Sequence, residues 1–373
     1  MPDGADEPEA GIAVCLSGGG YRAMLFHLGA LWRLNETKVL ARVERVSSVS
    51  GGSIVAGILG VRWHALTWTD GVATNFVAEV ADRVRKVAGT TIDAPAIAGG
   101  LLLPGDAASR VIRALDEVAF EEATLQDLPA DKPRFVINAT NLESGVLWRF
   151  SQPYMRDYRV GEVRLPQVPL AEAVAASAAF PPFLSPLTLD LRDENFTPGS
   201  GDDLQMPPYT DRVELSDGGV YDNLGLETAF KRYRTLLVSD GGGRFAPDPD
   251  PPNDWVRHLL RVMRVIDNQV RSLRKRQLIA AYRSGARDGA YWGIRSDIGN
   301  YQPDPPVEFL SAPYEATQEL AEVPTRLSET PDRLQHRLIN WGYAVCDAAL
   351  RTHASDIAAD APAAFPFPEG IEG

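Results

Sequence analysis

The chain has 373 residues, 45% of them hydrophobic, enough to bury a large core and too apolar for a disordered or fibrous protein. Its formal net charge of −13 argues against nucleic-acid binding, and it requires that any contact with an anionic lipid surface be local. Cys15 and Cys346 are the only cysteines, so there is no disulfide framework and no thiolate metal cluster, which fits a reducing, cytoplasmic setting.

The first ten residues, MPDGADEPEA, are acidic, read as flexible, and lack the charged-then-apolar layout of a signal peptide. No run approaches the roughly 20 apolar residues that a bilayer core requires. GIAVCLSGGGYRAMLFHLGALWRLNE reads as a buried strand from Ile12 to Leu16, a glycine loop, and a helix whose apolar face carries Leu25, Leu28, Leu31, Trp32 and Leu34. VERVSSVSGGSIVAGIL repeats the pattern: strand, tight turn of small residues, helix. Such alternation predicts a mostly parallel sheet covered on both faces, a three-layer α/β/α sandwich.

From about His64 to Glu122 the pattern is helical, interrupted by GTTIDAPAIAGGLLLPGD, which offers Ile97, Leu101, Leu102 and Leu103 without a polar face. RFVINATNLESGVLWRFS predicts a strand, a turn at Glu143 to Gly145, and a second strand. LAEAVAASAAFPPFLSP predicts a small-residue helix that ends before Pro181, and DLRDENFTPGSGDDLQMPPYT an exposed loop. VELSDGGVYDNLG reads as strand and turn, and RTLLVSDGGG as a further buried strand. The proline-rich FAPDPDPPND leads into a long helix from Trp255. Residues 11–355 are read as one domain with a helical insertion at about 64–122 and a helical C-terminal part at about 255–355, and residues 356–373 as a flexible tail.

Three stretches carry residue types suited to chemistry. In SGGGYRA, Gly18, Gly19 and Gly20 join strand to helix, and with no Cβ in the way their N–H groups can converge on an anion beside the helix N-terminus. Two anions compete for that place. Gly18, Gly20 and Ala23 satisfy a dinucleotide pattern, with Glu44 where a ribose-binding acid could sit; the alternative is a transient oxyanion. In the strand–helix turn, Ser48, Ser50 and Gly52 fit a nucleophile elbow, in which small residues let strand and helix approach while the serine Oγ projects. Capping of the helix by Ser50 or Ser47 is the ordinary reading of the same serines. In LSDGGVYDNLG, Asp217 leaves a strand into Gly218 and Gly219, either an everyday Asp-Gly turn or a carboxylate base held by one. Asp222 is the lesser candidate.

Taken in order, SGGGYRA, SVSGG, AASAAFPPFLSP and SDGGVYDN resemble the patatin-like phospholipase family, which shares its catalytic core with the cytosolic phospholipases. The matched segments run from about Gly11 to Gly225. The resemblance implies a patatin-like α/β/α fold and a metal-independent serine lipid acyl hydrolase, with Ser50 as nucleophile, Asp217 as its partner, and the Gly18 to Gly20 backbone as oxyanion hole. Arg22 matches the basic residue after the family's glycines, while Ser48, Gly51, Gly52, Gly218 and Gly219 would support the two reacting side chains. Ser48 stands where the family's elbow carries glycine, and Ala23 where glycine is frequent; both are small.

None of the five histidines, His27, His64, His258, His336 and His353, sits beside a strand-end motif, so a Ser–Asp dyad explains the sequence better than a triad. The expected substrate is a phospholipid or another acyl-ester lipid, and no cofactor is expected. AFPPFL and IAGGLLL could line an acyl channel or meet a membrane, although a buried core is the commoner fate of such apolar runs. The helix from Trp255 sets Leu259, Met263, Ile266 and Val270 against Arg257, Arg261, Arg264 and Arg274, suited either to peripheral contact with anionic lipid or to packing on the sheet with a solvated face. A dinucleotide-binding protein and a catalytically silent lipid-binding relative are the competing functions.

Overall fold

The structure, a computed structural model, describes residues 7–92, 106–243 and 245–372. Most of the acidic N-terminus and the apolar loop around Leu101 lie outside the described residues.

One ten-stranded sheet organises the chain. β1 (Glu9–Leu16), β2 (Val43–Ser48), β5 (Arg134–Asn141), β11 (Tyr233–Asp240) and β12 (Asp288–Gly293) form its parallel part, in the order β12-β11-β1-β2-β5. Beyond β5 the pairing turns antiparallel through β6 (Val146–Ser151), β7 (Tyr154–Asp157) and β8 (Gly161–Arg164). β10 (Arg212–Asp217) also pairs with β5, and β9 (Leu187–Asp190) with β10. The β5–β6 hairpin closes where expected: Asn141 Oδ1 accepts the N–H groups of Glu143 (2.9 Å) and Ser144 (3.2 Å), an Asx turn, and Gly145 takes a left-handed φ of 72°.

The three layers can be read from β1 alone. Its alternate residues Val14 and Leu16 join the larger apolar cluster, with α1 (Gly20–Glu36), α2 (Gly51–Arg62), α3 (Leu170–Ser177) and α5 (Asp332–His353). Ala13 and Cys15 point the other way, into a smaller cluster with Leu224, Leu226, Ala229 and Leu278. A strand buried on both faces has to be apolar throughout, which is why IAVCL shows no alternation. On the larger face α1 and α5 cross closely enough that a Cβ on Gly29 would fall 1.9 Å from Ile339 O, and one on Gly342 1.8 Å from Phe26 O.

Three features depart from the sequence reading. The insertion contains a small hairpin, β3 (Trp68–Thr69) with β4 (Val72–Ala73), beside its helices. The C-terminal part contributes the edge strand β12, whose residues DGAYWG carry too few aliphatic side chains to signal a parallel strand. The C-terminal stretch is packed, not free: Asn340 Nδ2 donates to Phe367 O (2.8 Å), His336 stacks on Phe367 with ring centroids 3.8 Å apart, and Ile371 is buried. Its aromatic residues cover α5, and that burial offsets the entropy of ordering the chain.

Candidate active site

β5 explains how residues far apart in the chain meet. β2 runs along the first half of one edge of β5, to the pair Ser48–Ile137, while β6 occupies the opposite edge. β10 arrives along the second half of the first edge from the opposite direction, ending at the pair Asp217–Ala139. The C-terminal ends of β2 and β10 therefore face each other across Asn138. Past the end of β2, Ser50 turns the chain into α2 with φ 52° and ψ −122°. Outside glycine, such a conformation costs of order 1–3 kcal/mol, so the surrounding structure has to enforce it. Close packing does so: a Cβ on Gly51 would lie 2.1 Å from Gly20 O, and one on Gly52 2.5 Å from Leu16 O. Only glycine at both positions lets the elbow sit against the β1–α1 loop.

Asp217 is buried, and the Ser50 hydroxyl lies close enough to favour its ionised form. The Gly219 N–H donates to Asp217 Oδ1 (2.7 Å), Asp217 N–H donates to Ala179 O (2.9 Å), and Thr140 Oγ1 donates to Asp217 O (2.8 Å). Burial pushes the Asp217 carboxyl up to about 6; the Gly219 N–H and Ser50 hydroxyl oppose the rise, and the nearby charge of Asp267 adds to it.

The glycine loop borders this pair, since a Cβ on Gly18 would lie 3.1 Å from Ser50 Cβ. Its three members are not equivalent. Gly18 N–H donates to Asn223 O (3.1 Å), whereas the N–H groups of Gly19, Gly20 and Gly51 find no acceptor among the described residues. The Gly18 N–H is thus engaged within the fold, unlike those of Gly19 and Gly20.

A second set of polar groups holds the elbow from beneath. Ser50 N–H donates to Ser177 Oγ (2.9 Å), and Ser177 Oγ donates to Asn138 O (2.7 Å). Ser53 Oγ lies within hydrogen-bonding distance of both Ser48 Oγ (3.0 Å) and Ser177 Oγ (2.9 Å), and Asn138 Nδ2 donates to Ser48 O (2.9 Å). Ser48 therefore contributes a hydroxyl as well as small size.

Other candidates are drawn elsewhere. Arg22 is buried, and its guanidinium donates to Ala321 O and Val323 O at the end of the Tyr314–Glu322 helix and to Gly241 O after β11, tying both segments to α1. Asp222 accepts the N–H groups of Leu224 and Glu227 and locks its own turn. Glu44, the ribose candidate, sits at the start of β2, about 13 Å of strand from Ser48, and pairs with Lys132 (2.8 Å). Tyr21 N–H, at the start of α1, already donates to Arg326 O (2.9 Å). Glu44 is thus committed to an ion pair at the far end of β2, away from the glycine loop, and is not placed as the acid that a dinucleotide's ribose would need. His27 is buried between Ser239 Oγ (2.7 Å) and Ser17 O (3.0 Å), its pKa lowered to about 4 by burial, so it is a neutral packing residue below the loop. His258 and His336 are engaged with Pro252 O and Glu369, His353 lies against Tyr301, and His64 is exposed.

The long helix α4 (Trp255–Arg283) passes the site. Arg271 donates to Gly243 O (2.6 Å), and Asp267 lies within electrostatic reach of Asp217. Sequence reasoning missed Ser177, Asn138 and Asp267. Ser177 lay inside a quoted motif, and Asp267 is the single acid in an arginine-rich helix, a signal that could have found it; Asn138 has none, because its role exists only where two strand ends meet.

A strained serine elbow, a buried carboxylate and a glycine-lined backbone loop thus share one end of a largely parallel sheet. The family model described as patatin-like phospholipase matches residues 14–230, more than half of the chain, and the chain belongs to that family. Among solved structures, human GIVD cytosolic phospholipase A2 is similar over 93% of this chain and 62% of its own, with a TM-score of 0.53 at 11% identity. The same enzyme with methyl gamma-linolenyl fluorophosphonate and terbium chloride is similar over 91% and 58%, with a TM-score of 0.51 at 14% identity. VipD from Legionella pneumophila is matched over 93% and 67%, at 16% identity and a TM-score of 0.37. The chain thus spans about three-fifths of the human enzyme's length. No curated protein sequence matches it.

Proposed function

We propose that the protein is a serine lipid acyl hydrolase of the phospholipase A or lysophospholipase type, working through Ser50 and Asp217. The observation that carries this reading is a strained Ser50 whose hydroxyl bears directly on the carboxyl of a buried Asp217, with no histidine between them. Ser50 Oγ attacks the ester carbonyl while Asp217 takes its proton. As the carbon–oxygen bond to the leaving alcohol breaks, that proton passes to the alkoxide and Ser50 is left acylated. Water, deprotonated by Asp217, then attacks the acyl-enzyme and releases the fatty acid.

A carboxylate at its usual pKa near 3.9 is a poor base for a serine hydroxyl, and the rise to about 6 improves the match. Most of the barrier then falls to the oxyanion. The N–H groups of Gly19, Gly20 and Gly51, free of internal acceptors, are the donors for it, and each such donor is worth about 3 kcal/mol. Dispersed in water a phospholipid tail is costly, so the exposed Phe180 and Phe183, which follow Ala179 beside Asp217, suit an acyl chain entering there.

The test is fatty-acid release from a panel of phospholipids, lysophospholipids and glycerides, together with labelling by a fluorophosphonate. Ser50→Ala is expected to abolish release and labelling, and Asp217→Asn to reduce both at least 10³-fold. Wild-type turnover in Ser50→Ala overturns the assignment. A folded wild type that binds lipid but neither turns over nor labels assigns the protein instead as a silent relative.

A further inference from the structure

Helix α4 runs for 29 residues, yet only its last third buries side chains in the protein. Leu278 and Ala281 are its buried side chains, and beside them Tyr282 Oη donates to Leu236 O (2.7 Å). From Trp255 to Leu273 the apolar side chains do not reach the core. Trp255 is 93% exposed and Leu259 60%, and Val262, Met263, Ile266 and Leu273 are exposed as well. At 3.6 residues per turn these six fall within an arc of about 100°, so they form one continuous stripe. Arg257, Arg261, Arg264 and Arg276 occupy the adjoining arc. The helix carries seven arginines and one lysine against a single acid, in a chain whose net charge is −13. A helix that only packed on the sheet would turn this stripe inward; here it faces solvent.

Position and charge select the occupant. Arg271 and Asp267 bring α4 to the entrance of the Ser50–Asp217 pair. Across Asp217, exposed Phe180 and Phe183 continue from Ala179, and exposed Val220 follows Gly219. An apolar stripe bordered by arginines calls for acyl chains beside phosphates, whereas a second copy of this acidic chain would bring a second set of the same arginines to a two-fold contact.

We infer that α4 lies flat in the headgroup region of an anionic phospholipid surface, its stripe among the acyl chains and its arginines on the phosphates, presenting the site entrance to lipid. This deepens the hydrolase reading by naming the form in which substrate arrives, an aggregate and not a dispersed monomer, but the docking itself asks nothing of Ser50.

The experiment is co-sedimentation of the full chain with vesicles of phosphatidylcholine alone or of equal parts phosphatidylcholine and phosphatidylglycerol, with brominated lipids to quench tryptophan. Wild type is expected to bind the anionic vesicles at least about tenfold more tightly than the neutral ones, with affinity falling as salt rises. Trp255→Phe should remove most of the quenching. The double variant Leu259→Glu/Val262→Glu should lose binding about tenfold or more while its circular dichroism and its hydrolysis of a short-chain monomeric ester are unchanged. Undiminished binding by that variant overturns the inference. So does a wild-type dimer in sedimentation velocity that the variant converts to monomer, which would give the stripe to a second copy. If Ser50→Ala is inactive and vesicles are not bound, the docking fails alone; if Ser50→Ala is fully active and vesicles are bound, the hydrolase reading fails alone.

Discussion

The backbone N–H of Ser50 donates to Ser177 Oγ at 2.9 Å, so the strained elbow at the end of β2 is held by the last residue of a helix 127 positions further along the chain. Ser177 Oγ in turn donates to Asn138 O, and Ser53 joins the same hydroxyl cluster. Removing this oxygen leaves a buried donor and a buried acceptor unmatched, at about 1–3 kcal/mol. Ser177→Ala should therefore lower the unfolding free energy by that amount and cut kcat by tenfold or more. KM should change little, because the variant loosens the nucleophile and not the lipid contacts. Steady-state kinetics beside urea denaturation check both effects.

Asp217 places a pH-dependent load on the fold. Its carboxyl holds a proton up to about pH 6 in the native state, while in the unfolded chain it ionises near the usual 3.8. Stability thus falls as pH rises between those values, and above pH 6 the buried charge costs about 3 kcal/mol. Asp217→Asn keeps the shape and the Gly219 contact without the charge. At pH 8 it should melt a few degrees higher than wild type although inactive, and the difference should vanish near pH 4. Calorimetry at the two pH values decides.

Asp267 bears on the same carboxyl from α4. Its negative charge opposes ionisation of Asp217 and so adds to the raised pKa. Neutralising it makes the Asp217 carboxylate easier to form. The acid limb of the kcat/KM profile, expected near pH 6 in wild type, should move to lower pH in Asp267→Asn, and measured rates between pH 4 and 8 would expose a failure of that shift.

The dihedrals of Ser50, φ 52° and ψ −122°, are reached far more easily by glycine than by alanine. Ser50→Gly and Ser50→Ala should be equally inactive, yet Ser50→Gly should be the more stable by about 1 kcal/mol, since it releases the strain that alanine keeps. Chemical denaturation of the two variants side by side is the measurement.

The first two strand–helix units, the β5–β6 hairpin, β10, β11 and α4 were legible because each is a local pattern: continuous apolar runs for strands buried on both faces, an Asx turn, an amphipathic period. β12 was not, since DGAYWG owes its place to the exposed edge of β11 and not to its own side chains. The packed C-terminal stretch was hidden for a similar reason, its proline-rich composition saying nothing of the groove beside α5 that receives Phe367 and Ile371.

At the site, the sequence alone determined which residues were chemically suitable. Ser50 in its small-residue turn, Asp217 before two glycines and the Gly18–Gly20 run each have a local reason to be where they are. Tertiary structure decided what each one does. Gly18 spends its N–H on Asn223, Arg22 is consumed by three carbonyls, and Ser177 and Asn138 enter through contacts more than 35 residues away in the chain. The division follows from the physics: conformational preference and residue chemistry are properties of a few neighbouring residues, whereas a hydrogen-bond partner, a desolvated carboxyl and an apolar stripe left facing solvent exist only once distant segments share one space.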